Sequence, residues 1–503
     1  MAPNDIDVEA TIEDNSNIWL PMGGGRPHPK HCPDIDNYIV QFDGGNDPWS
    51  PHNWSSWKKL YTSIIVCYGT LVASFNSAIF AAGLDQASAE FRVSPEVGVL
   101  GTSLFVLGFA SGPMIWAPGS ELIGRRWPLT IGMLGSSIFT IGSATAKDVQ
   151  TLIICRFFAG VFGASPLCIV PAVLADMYNS TYRGMAISIY ALTVFGGPFT
   201  APFIGEFISA SELGWRWTLF LPAILGFSDV VLLSLTLRET YAPFILMTKA
   251  IQLRKQTGNW AIHAEHEKIE FDLPNIVRKY FTRPLRMLMT EPTVFFVSIY
   301  MSLIYGLVYG MLEAYPYIYQ RVYGMDPAVG SLPFLGLMTG VCLALAFILS
   351  RQHAYTRQLF ANSGKTVPEW RLPPAILGAF VFTGGLFWFG WTAYKPTIHW
   401  LVPTAAGVPI GFGVLCIFLP CFNYLVDAYL PLAASTVAAN IMLRSAVAAG
   451  FPLFARQMFA NLGVQWAGTL LGCLAAIMIP IPMGFRIFGP ALRRRSRLLL
   501  SDS

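Results

Sequence analysis

The sequence predicts an all-α membrane protein with twelve transmembrane helices in two six-helix bundles. Three observations carry that prediction. Charged residues make up 12% of the 503 positions, against about 25% in a typical soluble domain, and the mean hydropathy is +0.51. Hydrophobic runs of roughly 20 residues recur along most of the chain, each long enough to cross about 30 Å of hydrocarbon as a helix. The runs do not alternate, whereas barrel strands read as alternating segments of about 10 residues. Because an unpaired backbone cannot cross a bilayer, the runs are helices.

The first six spans are expected over 60–83, 97–117, 127–146, 149–176, 185–207 and 217–236. The second six are expected over 293–317, 330–349, 373–391, 400–424, 433–454 and 462–485. A polar stretch, 238–290, separates the two sets and includes KAIQLRKQTGNWAIHAEHEK, which suits a surface helix. Six spans, a linker and six spans is the pattern of a duplicated transporter. The expected domains are a disordered cytoplasmic tail (1–59), a first bundle (60–237), a central loop (238–290), a second bundle (291–487) and a basic tail (488–503).

The tail is polar and rich in Pro, Asp and Asn, with no signal-peptide core. Seven of the eight cysteines fall inside apolar runs, at no metal or disulfide spacing, and read as small core residues. With the N-terminus inside, the inner loops and ends hold most of the Lys and Arg, including Lys58, Lys59, Arg125, Arg126, Arg183 and the run Arg493, Arg494, Arg495 and Arg497. The outer loops hold Arg92, Lys147, Arg216, Arg321 and Lys395. That bias puts both termini in the cytoplasm. The sequons at Asn53 and Asn179 then face the cytoplasm and are expected to stay unglycosylated.

Three stretches stand out. GSELIGRRWPL joins spans 2 and 3 and combines Gly119, Glu121, Gly124, Arg125 and Arg126. The glycines permit a tight turn, and Glu121 suits an arginine or a helix N-terminus. ALTVFGGPFTAPFIGEF in span 5 repeats Gly196, Gly197, Pro198, Pro202 and Gly205, small residues for close packing and prolines that interrupt the helix ladder. RFFAGVFGASP places Arg156 inside span 4, and intramembrane cations are costly and usually functional.

Together these stretches resemble the major facilitator superfamily, whose loop signature runs Gly-x-x-x-Asp-x-x-Gly-Arg-Lys/Arg. Here Gly119 lies two residues before the acid rather than four, and the acid is Glu121. GPMIWAPGSELIGRR is similar to the superfamily's fungal drug:proton antiporter branch, with Gly119 in place of a Leu. DPWSPHNWSSWKK before span 1 and NYLVDAYLPLAASTVAANIMLRS near span 11 look alike too. The resemblance covers roughly 46–497. It implies a conformational latch in the 2–3 loop, an antiporter motif in span 5 and a proton-transfer role for Arg156. Arg238 stands where Pro is usual, which predicts a looser end to span 6.

Other intramembrane acids are Glu206, Asp229 and Glu313, and with Arg156 they form the proton-coupling candidates. Asp229 reads either as a proton site or as a snorkelling end residue. Glu313 lies in YGLVYGMLEAYPYIY, a tyrosine-dense part of span 7. The substrate-binding candidates are Asn76, Tyr305, Tyr309, Glu313, Tyr315, Asn440 and Arg444, the last as the counterpart of Arg156. Packing is the competing reading for the aromatics, and interhelical hydrogen bonding for the asparagines.

The function implied is a proton-coupled antiporter that exports a small organic compound, such as a fungal metabolite, toxin or drug. A polyamine or organic-acid exporter is the alternative. It would use no cofactor, metal or nucleic acid, only a proton gradient. The bilayer is its setting, as a monomer in the plasma membrane or, second, the vacuolar membrane. A membrane enzyme needs clustered catalytic side chains, and HAEHE lacks zinc-protease spacing. No filter-like loop marks a channel.

Overall fold

The computed structural model describes residues 38–44, 47–268, 282–362, 367–429 and 432–494. The tail expected before residue 38 and the inner-side cations Arg278, Lys279, Lys365, Arg495 and Arg497 lie outside the described residues. Among the described residues the architecture is helical throughout.

Twelve helical spans follow in order. Span 1 is Ser56–Ile79, prolonged by a 3-10 turn at Phe80–Gly83 and by Leu84–Phe91. Span 2 is Pro95–Ser111 continued by Pro113–Leu122, and spans 3 to 6 are Arg126–Ala144, Val149–Met177, Ser180–Ser209 and Trp217–Thr236. Span 7 is Pro292–Pro316, ending in a π-helical turn at Tyr317–Val322. Spans 8 to 11 are Phe334–Ala361, Pro373–Thr392, Leu401–Ala428 and Ala433–Leu462. Span 12 is Val464–Met478 with Pro480–Arg494. Spans 2 and 12 restart at a proline, where a missing N–H costs nothing.

Eleven of these are long and apolar enough to cross a membrane. Span 3 is the twelfth. Its 19 residues reach about 28 Å at about 1.5 Å per residue, but Arg126 and its serines, threonines and glycines dilute its apolar content. Large apolar side chains such as Trp57, Leu235 and Ile477 stand at least 74% exposed, as a lipid-facing surface requires.

The packing repeats. Span 1 lies on span 5 as 7 does on 11; span 2 on 4 as 8 on 10; span 3 on 4 and 6 as 9 on 10 and 12. The two sets meet where span 2 touches span 11 and span 5 touches span 8. Close crossings depend on glycine in both halves. A Cβ on Gly108 or Gly160 would strike backbone across the span 2–4 contact, and one on Gly340 or Gly411 would do so across spans 8 and 10. An even number of crossings returns the chain to the side where it began. That side, with the 2–3, 4–5, 6–7, 8–9 and 10–11 connections, is called the termini face here; the other is the far face.

The expected disordered tail over 1–59 is corrected from residue 38 onward. Tyr38 and Val40 pack with Ala250, Leu253, Ile262 and Ala264 of the connector between the halves. Val40 N donates to His263 O at 3.0 Å, and His263 N to Tyr38 O at 3.1 Å. Lys249, on the connector helix Ala242–Thr257, is wholly buried and pairs with Asp43 and Asp47 at 3.4 Å each. Burial pushes the Asp47 carboxyl up, but N–H donors from Asp43 and Trp49 and the Lys249 ammonium outweigh it and hold it below the ordinary 3.8. A composition that reads as disorder is ordered here because its partner lies some 200 residues away in sequence.

Candidate functional site

On the termini face, span 2 ends at Leu122 and the chain turns through Gly124, whose φ of +85° suits glycine. A side chain there would also collide with the Glu239 carboxylate. Glu239 follows span 6 and caps the start of span 3: its oxygens accept from Arg125 N at 2.8 Å and Arg126 N at 3.2 Å. They also accept from Thr240 N and Tyr241 N at 2.9 Å each. The helix N-terminus that Glu121 suited is therefore occupied by Glu239. The expected loosening of span 6 at Arg238 is not observed, since Leu237 N still donates to Leu233 O at 3.0 Å.

Arg125 projects to Asp176 at the end of span 4 (3.3 Å) and to Ser120 Oγ (2.7 Å), with its guanidinium 4.5 Å from the Tyr241 ring centre. Arg126 donates to Ser234 O at 2.7 Å, and Gly119 faces open space. The second half repeats the arrangement. Arg371, just before span 9, pairs with Asp427 at the end of span 10 (3.1 Å) and lies 3.9 Å over Tyr355. Asp176, Glu239, Tyr241 and Asp427 were not singled out from the sequence. An acid at a helix end looks ordinary there, although an Arg at the start of spans 3 and 9 and an Asp at the end of spans 4 and 10, 51 and 56 residues on, recur in both halves.

In the first half, Arg156 is fully buried. Its Nε donates to Gly101 O (3.0 Å), Nη1 to Asn76 O and Oδ1 (2.9 and 3.0 Å), and Nη2 to Ser77 O (3.3 Å). The guanidinium lies 4.3 Å from the Phe105 ring centre. Its partners are carbonyls and a ring, and no described carboxylate pairs with it. Asn76, expected at the substrate, is instead committed to Arg156 and, through Nδ2, to Thr140 at 2.7 Å.

Ser77 extends this contact across the halves, since its hydroxyl meets Tyr309 OH at 2.7 Å. Tyr309 OH lies 3.5 Å from Tyr305 OH. The Arg444 guanidinium sits 4.9 Å from the Tyr305 ring centre and 4.8 Å from that of Phe418, and Phe195 of span 5 packs edge-on to Phe418 at 4.8 Å. The centre of the molecule is thus an aromatic cluster held between two buried arginines. Phe195 and Phe418 were missed because an apolar aromatic in an apolar run carries no sign of which way it faces.

Two other substrate candidates lie apart from the central cluster. Tyr315 stacks on Tyr319 and packs against Phe334 and Phe389, inside the second half rather than at the central cluster. Asn440 donates to Ser298 Oγ (3.2 Å) and Met301 Sδ (3.3 Å), joining span 11 to span 7.

The acids separate into two places. Glu206 of span 5 and Glu313 of span 7 line one far-face cavity of about 160 Å³, together with Asp85, Gln320 and Arg456. Gln320 donates to Glu206 at 3.2 Å, and Arg456 pairs with Asp85 at 3.4 Å, both contacts crossing between the halves. Asp229 lies elsewhere, wholly buried against Gly69 where span 6 packs on span 1, with neither oxygen hydrogen-bonded. It does not snorkel.

In span 5, Gly197 meets Phe75 N and Ser74 of span 1, Gly205 meets Ile79 and Ala82, and Gly196 faces Met338 of span 8. Pro198 and Pro202 interrupt the ladder between them, and Thr200 Oγ1 donates to Gly196 O at 2.7 Å. Towards the termini face, a mostly apolar cavity of about 220 Å³ lies between the halves, lined by Cys168 and Ile187 on one side and Phe422 and Ile441 on the other. Glu121, Arg125 and Arg183 stand along it. It is smaller than the roughly 300–1,000 Å³ of typical small-molecule sites.

A family model described as the Major Facilitator Superfamily matches residues 66–452. The chain is 44% identical over 493 residues to the major facilitator superfamily multidrug transporter FLU1 of Candida albicans, covering 97% of this chain and 80% of that protein. It is 42% identical, over 98% of each chain, to the citrinin biosynthesis cluster MFS transporter mrr1 of Monascus ruber. Among solved structures, the proton:xylose symporter XylE aligns with a TM-score of 0.62 at 17% identity, covering 86% of this chain and 97% of that one. The human organic anion transporter MFSD10 aligns at 0.57 and 16%, over 84% and 99%. At such identities the likeness shows the fold alone.

Fold and relatives together define a membrane transporter rather than an enzyme. The chain belongs to the Major Facilitator Superfamily.

Proposed function

We propose that this chain exports small organic compounds, metabolites or drugs, from the cytoplasm in exchange for protons. Relatives named as multidrug transporters at about 44% identity support efflux of drugs or metabolites. The relative from a citrinin cluster supports a secondary metabolite. The Lys and Arg bias supports a cytoplasmic termini face, with the plasma membrane as the location.

The observation that carries proton coupling is the far-face cavity, where Glu206 from one half and Glu313 from the other line the same space. In this reading an amphipathic compound enters from the cytoplasm and settles against Tyr305, Tyr309, Phe195 and Phe418, beside Arg444. The two bodies, 60–237 and 291–487, then rock about the central cluster. The far face opens by parting Asp85 from Arg456, Glu206 from Gln320 and Ser77 from Tyr309. Protons arriving from outside load Glu206 and Glu313 and favour the return. The 2–3 loop and the Arg125–Asp176 pair latch the termini face. The glycines and prolines of span 5 let that helix slide and bend against span 1.

The experiment is a metabolite profile of cells and medium, with and without the gene, each with and without a protonophore. A compound that moves from medium to cytoplasm on deletion, and likewise with the protonophore, supports the reading. Export that persists at full rate without a proton gradient contradicts it. One observation favours a polyamine as the substrate class: three carboxylates, Asp85, Glu206 and Glu313, line the far-face cavity. Competition of export by spermidine distinguishes that case.

A further inference from the structure

On the termini face, a pocket of about 380 Å³ opens between the ordered segment before span 1, the start of span 1 and the end of span 6. Trp49 and Trp54 wall it, and Lys58 and Arg238 bring two positive charges to it. Lys58 Nζ sits 3.5 Å from the Trp54 ring centre.

The charge balance of this pocket is incomplete within the protein. Among the described residues neither Lys58 nor Arg238 makes an ion pair, and their like charges repel. Glu239 also lines the pocket, but its carboxylate is engaged by four backbone N–H groups at the start of span 3 and at its own turn. Asp47, next to Pro48 and Trp49, is held by Lys249 and by the N–H groups of Asp43 and Trp49. Two cations converge where every nearby acid is already committed, which is an arrangement that suits an anion from outside the chain.

The pocket's height in the membrane indicates the source of that anion. Trp57, Leu60, Tyr61 and Ile64 of span 1 are 39–79% exposed, and Val231, Leu232 and Leu235 of span 6 are 39–79% exposed. These are lipid-facing stripes. Lys58 lies beside Trp57, and Arg238 lies three residues after Leu235, so both cations stand where the stripes end. Tryptophan and basic side chains at that level belong to the headgroup region.

We propose that this pocket binds the phosphate headgroup of an anionic phospholipid from the leaflet on the termini face. The phosphate lies between Lys58 and Arg238, and the glycerol and upper acyl chains run along Trp54 and the exposed face of span 1. The bound lipid thereby ties the ordered segment 47–54, the start of span 1 and the end of span 6 together. This proposal does not rest on the transport reading, because binding is measured without substrate.

The test uses the full chain in nanodiscs of phosphatidylcholine with increasing phosphatidylserine, scored by co-purified lipid in native mass spectrometry and by thermal unfolding. The expected result is selective retention of phosphatidylserine and a raised unfolding temperature. Retention falls about fivefold in Lys58→Ala or Arg238→Ala and about 25-fold in the double variant, from the attraction of each basic residue to an anionic surface. Arg238→Lys, which keeps the charge, restores most of it, so that loss through misfolding is distinguished from loss of the site. Millimolar inorganic phosphate or glycerol 3-phosphate, tested in phosphatidylcholine alone, is expected to leave the unfolding temperature unchanged. Equal retention of phosphatidylserine by the double variant overturns the proposal. So does full stabilisation by soluble phosphate, which makes the pocket a site for a free anion.

Discussion

Arg156 and Arg444, buried in opposite halves of the molecule, are joined by one chain of contacts. Arg156 Nη2 holds the Ser77 carbonyl at 3.3 Å, the Ser77 hydroxyl meets Tyr309 at 2.7 Å, Tyr309 meets Tyr305 at 3.5 Å, and the Tyr305 ring faces Arg444 at 4.9 Å. The chain crosses between the halves only at Ser77 and Tyr309. A rocking motion of the halves that opens the far face must break that hydrogen bond, while the contacts on either side of it travel with their own half.

Arg156→Ala removes four hydrogen bonds and leaves the buried Asn76 Oδ1 without its donor. An unsatisfied buried group costs about 1–3 kcal/mol, so the variant is expected to unfold at a markedly lower temperature and to lose transport. Arg156→Lys keeps the charge but not the fork that reaches three carbonyls. It is expected to fold and still fail in efflux, which detergent-solution melting and a cell efflux assay separate.

Tyr309→Phe removes one hydroxyl and keeps the ring. The lost cross-half bond is worth about 0.5–1.5 kcal/mol. The far face should therefore open about two- to tenfold more often, read as faster labelling of a Ser209→Cys variant, buried in the far-face cavity, by an impermeant thiol reagent. Unchanged labelling would remove Ser77–Tyr309 from the closure.

Glu239→Gln weakens a cap on four backbone N–H groups, and carboxylates at helix N-termini contribute about 0.3–1 kcal/mol. The protein is expected to stay folded while transport falls, because the start of span 3 loses its tie to the end of span 6. Gly124→Ala is the harsher change, since the position has positive φ and the Glu239 carboxylate stands where the Cβ would go. Its loss of transport should exceed that of Gly119→Ala, where space is open.

The pairing of Lys249 with Asp43 and Asp47 gives a pH prediction. Asp47 titrates below its ordinary value in the folded protein, so its stabilisation is present above the unfolded pKa and is lost as pH falls through the folded one. Hydrogen exchange of the backbone over 38–54, corrected for the intrinsic pH dependence of exchange, should show constant protection from pH 8 to about 5 and lose it only below about 4. Asp47→Ala should loosen the segment at every pH, because Lys249 keeps only its Asp43 partner and the N–H groups of Asp43 and Trp49 lose their acceptor, about 1–3 kcal/mol for each group left unsatisfied.

Much of this was legible in the sequence, for reasons tied to particular residues. Span placement followed from apolar run length, which the bilayer itself fixes. Gly124, Arg125, Arg126 and Arg156 stood out because charge and glycine in apolar surroundings are expensive or strained unless used. What was not legible is direction. Asn76, Tyr315 and Asn440 have the right chemistry for a binding site, yet each faces a neighbouring helix, and nothing in an all-round apolar helix reports its rotation. Pairings distant in the chain were hidden for the same reason. Asp176 finds Arg125, Asp427 finds Arg371 and Asp47 finds Lys249 only once the helices are packed.

The most direct test of proton-coupled export is made in proteoliposomes with a pH-sensitive dye inside and an exported compound added on the side of the termini face. The account predicts that uptake of the compound drives protons out of the lumen, raising its pH. In Glu206→Gln and Glu313→Gln, binding should persist while proton movement is lost. Substrate uptake with no change in luminal pH, or unaltered coupling in both variants, would contradict it.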